Sequence, residues 1–120
     1  MSDFEENARR SVIVHLHHAY LHLVAVCANL PVPISLPEDF EPRETVAVLE
    51  RVAEISDDQP MPEDQQADLF TGAIMILAAT DLVAAMNARF VEWRPMAAMA
   101  TLEVALDALH DLMEWQAEND

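Results

Sequence analysis

Three of the five histidines, His15, His18 and His22, recur at spacings of three and four residues. On a helix that spacing places them in one narrow sector. His18 and His22, four residues apart, direct two imidazoles to the same face, an arrangement able to bind zinc, copper or nickel. Such a row of histidines on one helix is more often a polar stripe on a solvated face. The stripe is the reading adopted, with no metal and no cofactor expected; a metal- or small-ligand-binding bundle using His15, His18 and His22 is the alternative.

Towards the C-terminus, Asp107 and His110 form an Asp-x-x-His pair, flanked by Glu103 and Glu114. Its spacing is similar to the Glu-x-x-His ligand pairs of di-iron four-helix bundles. Those sites need two such pairs and further inward glutamates. Here Glu103, Asp107, His110, Asp111, Glu114 and Glu118 share one helix face, opposite Ala98, Leu102, Ala105, Leu106, Leu109, Leu112 and Met113, so the acids are expected in solvent. Ser11, Ser35, Ser56 and Cys27 sit in no nucleophile motif. The lone glycine, Gly72, rules out a glycine-rich phosphate loop. No catalytic activity is expected. Cys27 allows no internal disulfide and lies in an apolar stretch, where a thiol acts as a small hydrophobe.

Charge is the strongest single constraint. The chain carries 22 acidic residues against six arginines and no lysine, for a formal charge of −16, while 52% of it is apolar. Such a surface repels nucleic acid and anionic membranes and suits basic or apolar protein surfaces. Arginine without lysine is the usage a GC-rich bacterial genome produces; salt adaptation, the rival reading, goes with a leaner core. The acidic opening has no charged leader of the secretory kind, and a cytoplasmic location is expected. The function expected is binding of another protein, such as a transcription regulator or nucleic-acid-binding effector. This would be a regulator or inhibitor of the antiactivator, immunity or anti-defence type. A DNA mimic is a further alternative, since the acids cluster within residues 38–54, 57–68 and 103–118. Glu103, Asp107, Asp111 and Glu114 are the expected partner-facing acids.

The elements that position these groups are helices, because one glycine in 120 residues leaves little material for turn-rich β architecture. Four segments are expected, at about residues 4–29, 42 or 43 to 55, 63–93 and 95–117, in a single all-α bundle-like domain spanning residues 1–120. Arg94-Pro95 marks the last break, since the residue before proline avoids helical backbone. Ser35 and Glu38 have capping-box spacing, which allows a short helical turn at residues 36–40. The proline-rich residues 30–37 are expected to form a strap across the bundle.

The first and third helices are apolar around most of their circumference, so each needs cover on more than one side. A homodimer follows from that excess. The interface residues expected are Leu69, Met75, Ile76, Leu82, Val83, Met86 and Phe90 on the third helix, and Val14 and Leu21 on the first. Far-ultraviolet circular dichroism should show more than half of the chain helical; a spectrum dominated by β-structure would refute the reading.

Overall fold

The computed structural model describes residues 3–119, and every regular element among them is helical. Four α-helices, α1 (Asp3–Ala28), α2 (Pro42–Glu54), α3 (Glu63–Ala88) and α4 (Trp93–Glu118), are joined with one 3-10 turn, Ser56–Asp58. Met1 and Ser2, part of the acidic opening, lie outside the described residues.

Local chemistry sets the helix ends. Glu41 caps α2: its Oε2 accepts the Glu44 amide at 3.0 Å, and Pro42 supplies a first residue that needs no amide partner. The break between α3 and α4 falls earlier than expected. The third helix stops at Ala88 rather than near Trp93, and α4 has already begun when it reaches Pro95. Proline is tolerated there because the first turn's amides have no partner within the helix. Arg94 then folds back on α3, and its Nη1 donates to the carbonyls of Ala85 (3.2 Å) and Arg89 (2.6 Å). A side-chain cation thus closes a C-terminus that has no glycine to end it.

Helix α3 is the hub. It packs against α4, α2 and α1, and its Leu69, Ala73, Ile76, Ala79 and Met86 are wholly buried. The closest approach is to α4. A β-carbon placed on Gly72 would lie 2.6 Å from Leu109 Cδ2 and 2.9 Å from its Cγ. Leu109 is itself fully buried, so it has little room to yield.

The three other helices all run antiparallel to α3. Arg9 on α1 donates to Asn87 Oδ1 near the end of α3. The rings of His22 and His110 lie 5.4 Å apart, and Gln116 Nε2 donates to the Val26 carbonyl, so α1 and α4 run side by side in the same direction. Helix α2 packs on α3, and Ala53 and Glu54, which end α2, line one groove with Gln66 and Phe70 near the start of α3.

Because α1 and α2 share a direction, the chain between them must travel back along the bundle. Returning from residue 28 to the level of His17 needs about 17 Å at 1.5 Å per helical residue. Residues 31–37, extended by their prolines at about 3.1 Å each, reach about 22 Å. The strap is fixed at three points. Ile34 donates its amide to the Cys27 carbonyl at 2.9 Å. The Tyr20 hydroxyl donates to the Pro37 carbonyl. The buried Gln59 side chain pairs with the backbone of Val32, accepting its amide at 3.0 Å and donating to its carbonyl at 2.8 Å. The helical turn allowed by Ser35 and Glu38 does not form; residues 36–40 are non-helical. The carbonyl of Pro37 is held by Tyr20 instead, and Leu36 is buried.

Replacing Gly72 with Ala should destabilise the protein by about 1–2 kcal/mol in urea unfolding, overpacking at the α3–α4 contact outweighing the gain in helix propensity. In a Leu109→Ala background the same change should instead stabilise, by up to about 1 kcal/mol, because the clash is gone. Equal effects in both backgrounds would show that the contact does not limit the approach of the helices.

Candidate interaction surfaces

The antiparallel placement of α3 gathers charge at one end of the bundle. Its N-terminus meets the C-terminal turns of α2 and α4, and the acidic turn at residues 56–58 lies beside them. Asp64, Gln65, Asp68, Asp111, Glu114, Trp115 and Glu118 line a groove between α3 and α4. Glu54, Asp57 and Glu63 border a second groove on the α2 side, with the exposed Phe70. Arg51 is the only arginine on this end; Arg9, Arg10, Arg43, Arg89 and Arg94 all lie on segments at the opposite end. Helix C-termini carry partial negative charge, so α2 and α4 add to the potential that the single α3 N-terminus offsets.

The effect is visible at Asp68. Partial burial, then the neighbouring Asp111 and Asp64, push its carboxyl above the usual 3.8. Gln65 Oε1, in the same groove, is buried and accepts no hydrogen bond. The groove therefore presents crowded carboxylates with no cationic side chain among its lining residues.

Of the acids expected to face a partner, Asp111 and Glu114 join this groove. Glu103 and Asp107 are exposed farther up α4, with Glu103 at the rim of an apolar groove formed by Phe4, Val12, Pro95, Met96 and Met99. Asp64 and Asp68 belong to the acidic cluster at residues 57–68, which the structure sets beside Asp111, Glu114 and Glu118 of the cluster at residues 103–118. Their positions near the start of a helix account for them locally, and nothing nearby in the chain points to α4.

The histidines form a ladder across two helices. His18 and His22 lie 4.4 Å apart edge to face, and His22 is followed by His110 of α4 at 5.4 Å. His15 Nδ1 is 2.7 Å from the Ser11 carbonyl, and His22 Nδ1 is 2.9 Å from that of His18. With a carbonyl as the partner, each Nδ1 is the donor. Among the described residues no three histidine, cysteine or carboxylate side chains converge on a point that would hold a metal ion. Cys27 is buried, and burial pushes its thiol up to about 12.

The residues expected at a dimer seam divide sharply. Leu69, Ile76 and Met86 are fully buried within the single chain and Val83 nearly so, so they are unavailable to a partner. Met75, Leu82 and Phe90 are half-buried against the same core, with the Arg9 guanidinium over the Phe90 ring at 5.3 Å. The physical reason is that α4, α2 and α1 between them cover α3, the work the expected seam assigned to a second subunit. Val14 and Leu21 do lie outward, 58% and 39% exposed. Helices α1 and α3 are each long and apolar enough to cross a membrane, a criterion that the core helix of a soluble protein also meets.

No family model, curated protein or solved structure matches the chain.

An Asp68→Asn variant should be more stable than the parent at neutral pH. A carboxyl raised in the folded state binds its proton more tightly there than in the unfolded chain, so folding is favoured as pH falls towards 3.8. The advantage of the amide should therefore shrink with acidification, as read by thermal unfolding across pH. A constant or reversed difference would show that Asp68 is not crowded.

Proposed function

We propose that this is a small cytoplasmic regulator that acts by binding another protein, without catalysis, and that it works as a homodimer. The partner is a basic protein, such as a nucleic-acid-binding regulator or effector, whose functional surface becomes covered. The observation that carries this reading is the acidic end of the bundle, where Asp64, Asp68, Asp111, Glu114 and Glu118 line one groove and the Asp68 carboxyl is raised.

Arginine or lysine side chains of a partner would relieve two costs at once. They would neutralise Asp64, Asp68, Asp111 and Glu114, and offset the helix C-termini. Trp115 and the exposed Phe70, on the two flanks of the α3 N-terminus, supply the apolar contact such an interface needs, since charge steers encounter and fixes orientation more than it sets affinity. The net charge of −16 works in the same direction, drawing basic proteins in and keeping anionic membranes and nucleic acid away.

The test uses a fluorescent arginine-rich peptide as the probe. Binding should weaken steeply with salt. It should also fall by at least about tenfold when Asp68, Asp111 and Glu114 are changed together to their amides, because the charge-assisted hydrogen bonds they accept would no longer form. The same number of neutralisations at Glu38, Asp39 and Glu41 should have little effect. Equal losses from the two sets would mean that the peptide senses only net charge, and the acidic end would then have no claim to be the binding site.

A further inference from the structure

We infer that the outward face of α1 is the surface on which a second copy of this chain docks, two α1 helices pairing about a two-fold axis. This rests on the dimeric part of the function proposed above and gives it a location.

The first observation is a gap in the charge. Residues 7–37 contain no aspartate or glutamate, although the chain as a whole carries 22. Every other helix exposes carboxylates: Glu44, Glu50 and Glu54 on α2, Glu63, Asp64 and Asp81 on α3, and Glu103, Asp107, Asp111 and Glu114 on α4. Two chains of this charge repel one another at a distance, and most pairs of faces would also bring carboxylates together at contact. From residue 7 onward, α1 offers a face where that close-range repulsion is absent.

The second observation is what fills the gap. Asn7, Val14, Leu21 and Ala28 repeat every seven residues along the outward side of α1 and are all exposed. A seven-residue repeat keeps one line of side chains against a neighbouring helix. His17 and His18 lie between Val14 and Leu21, Ile13 borders them at 47% exposure, and Ala25 lets a second backbone come close. From Val14 to Ala28 the line is apolar, and an apolar line is its own complement when turned about a two-fold axis.

The other candidate occupants fit less well. A basic partner finds no carboxylate on this face. An anionic bilayer would meet the acidic outer face of α4 on one flank and Glu38, Asp39 and Glu41 on the other, and the face has only three large apolar side chains to insert. Its size also sets the expected strength. An acid-free helix face about 33 Å long and about 10 Å wide falls short of the roughly 800 Å² that a standard interface buries on each partner. A micromolar dimer is expected.

Sedimentation of the intact chain tests the inference. A dimer should form and tighten, its dissociation constant falling by roughly tenfold between about 50 mM and 1 M sodium chloride, because screening removes the long-range repulsion. That salt response is opposite in sign to binding of a basic peptide. Val14→Glu with Leu21→Glu should abolish the dimer while leaving helix content and peptide binding intact, since both side chains are exposed in the protomer. In a Cys27→Ala background, His18→Cys should form a disulfide with its own copy under mild oxidation, as a residue near the axis must.

A monomer at every salt concentration would overturn both the seam and the dimeric reading. A dimer indifferent to the Val14 and Leu21 changes would overturn the seam alone. A monomer that instead binds anionic vesicles through Val14 and Leu21 would assign the face to a membrane and refute the inference. Loss of peptide binding with the dimer intact would bear only on the acidic end.

Discussion

Enclosing α3 is the constraint on which the rest of the molecule depends. Its apolar side chains run around most of its circumference, and water is expelled only if other helices cover it on several sides. With one short and two long helices available, the solution is a single antiparallel helix surrounded by α1, α2 and α4, giving a body of 48 × 24 × 20 Å. The contact with α4 is made close by Gly72, the one residue of the chain without a β-carbon. The strap follows from the same arrangement. Parallel α1 and α2 cannot be joined by a tight turn, so the chain returns along the bundle in extended form, with Tyr20, Cys27 and Gln59 satisfying its backbone.

That topology also decides where charge accumulates. Because α3 alone points the other way, its N-terminus stands among helix C-termini at one end, and the acids of four chain segments converge there. The turn between α3 and α4 and the starts of α1 and α2 occupy the opposite end, with five of the six arginines. Some of these have structural roles: Arg94 caps α3, while Arg9 holds Glu5 at 3.0 Å and Asn87 at 3.1 Å. Positive charge is consumed in closing the fold at one end, and Arg51 is all that remains of it at the other. An electrostatic demand left open by the protomer is the physical basis for assigning the acidic end to a basic partner.

The two proposed surfaces respond oppositely to ionic strength. Contact at the acidic end is attraction between unlike charges and weakens as salt screens it. Contact through α1 occurs against the mutual repulsion of two acidic chains and strengthens. Binding of a basic partner would itself lower that repulsion, so partner binding and self-association are coupled in this reading: each would favour the other, by the reciprocity that any such linkage obeys.

Much of this was legible in the residues themselves. Scarce glycine and helical periodicity determine four helices. On α2, where polar and apolar positions separate cleanly, the buried face follows directly: Thr45, Leu49 and Val52. On α4 the spacing picks out the buried Leu102, Leu109 and Leu112, but Met113, expected on the same face, is exposed, as are Met96 and Val104. The sign of the surface and the acid-free stretch are properties of composition. On α1 and α3 periodicity is nearly silent, because an apolar residue at almost every angle is compatible with any neighbour. Only packing decided that α3 is enclosed within the protomer, so that Leu69, Ile76 and Met86 are core, while α1 keeps Val14 and Leu21 outside. Packing likewise brought His22 to His110 and Asp68 to Asp111, pairs 88 and 43 positions apart. A local pattern records which side of a helix prefers water. Which helix meets which, and in what direction, is settled by the one arrangement that leaves least apolar surface exposed.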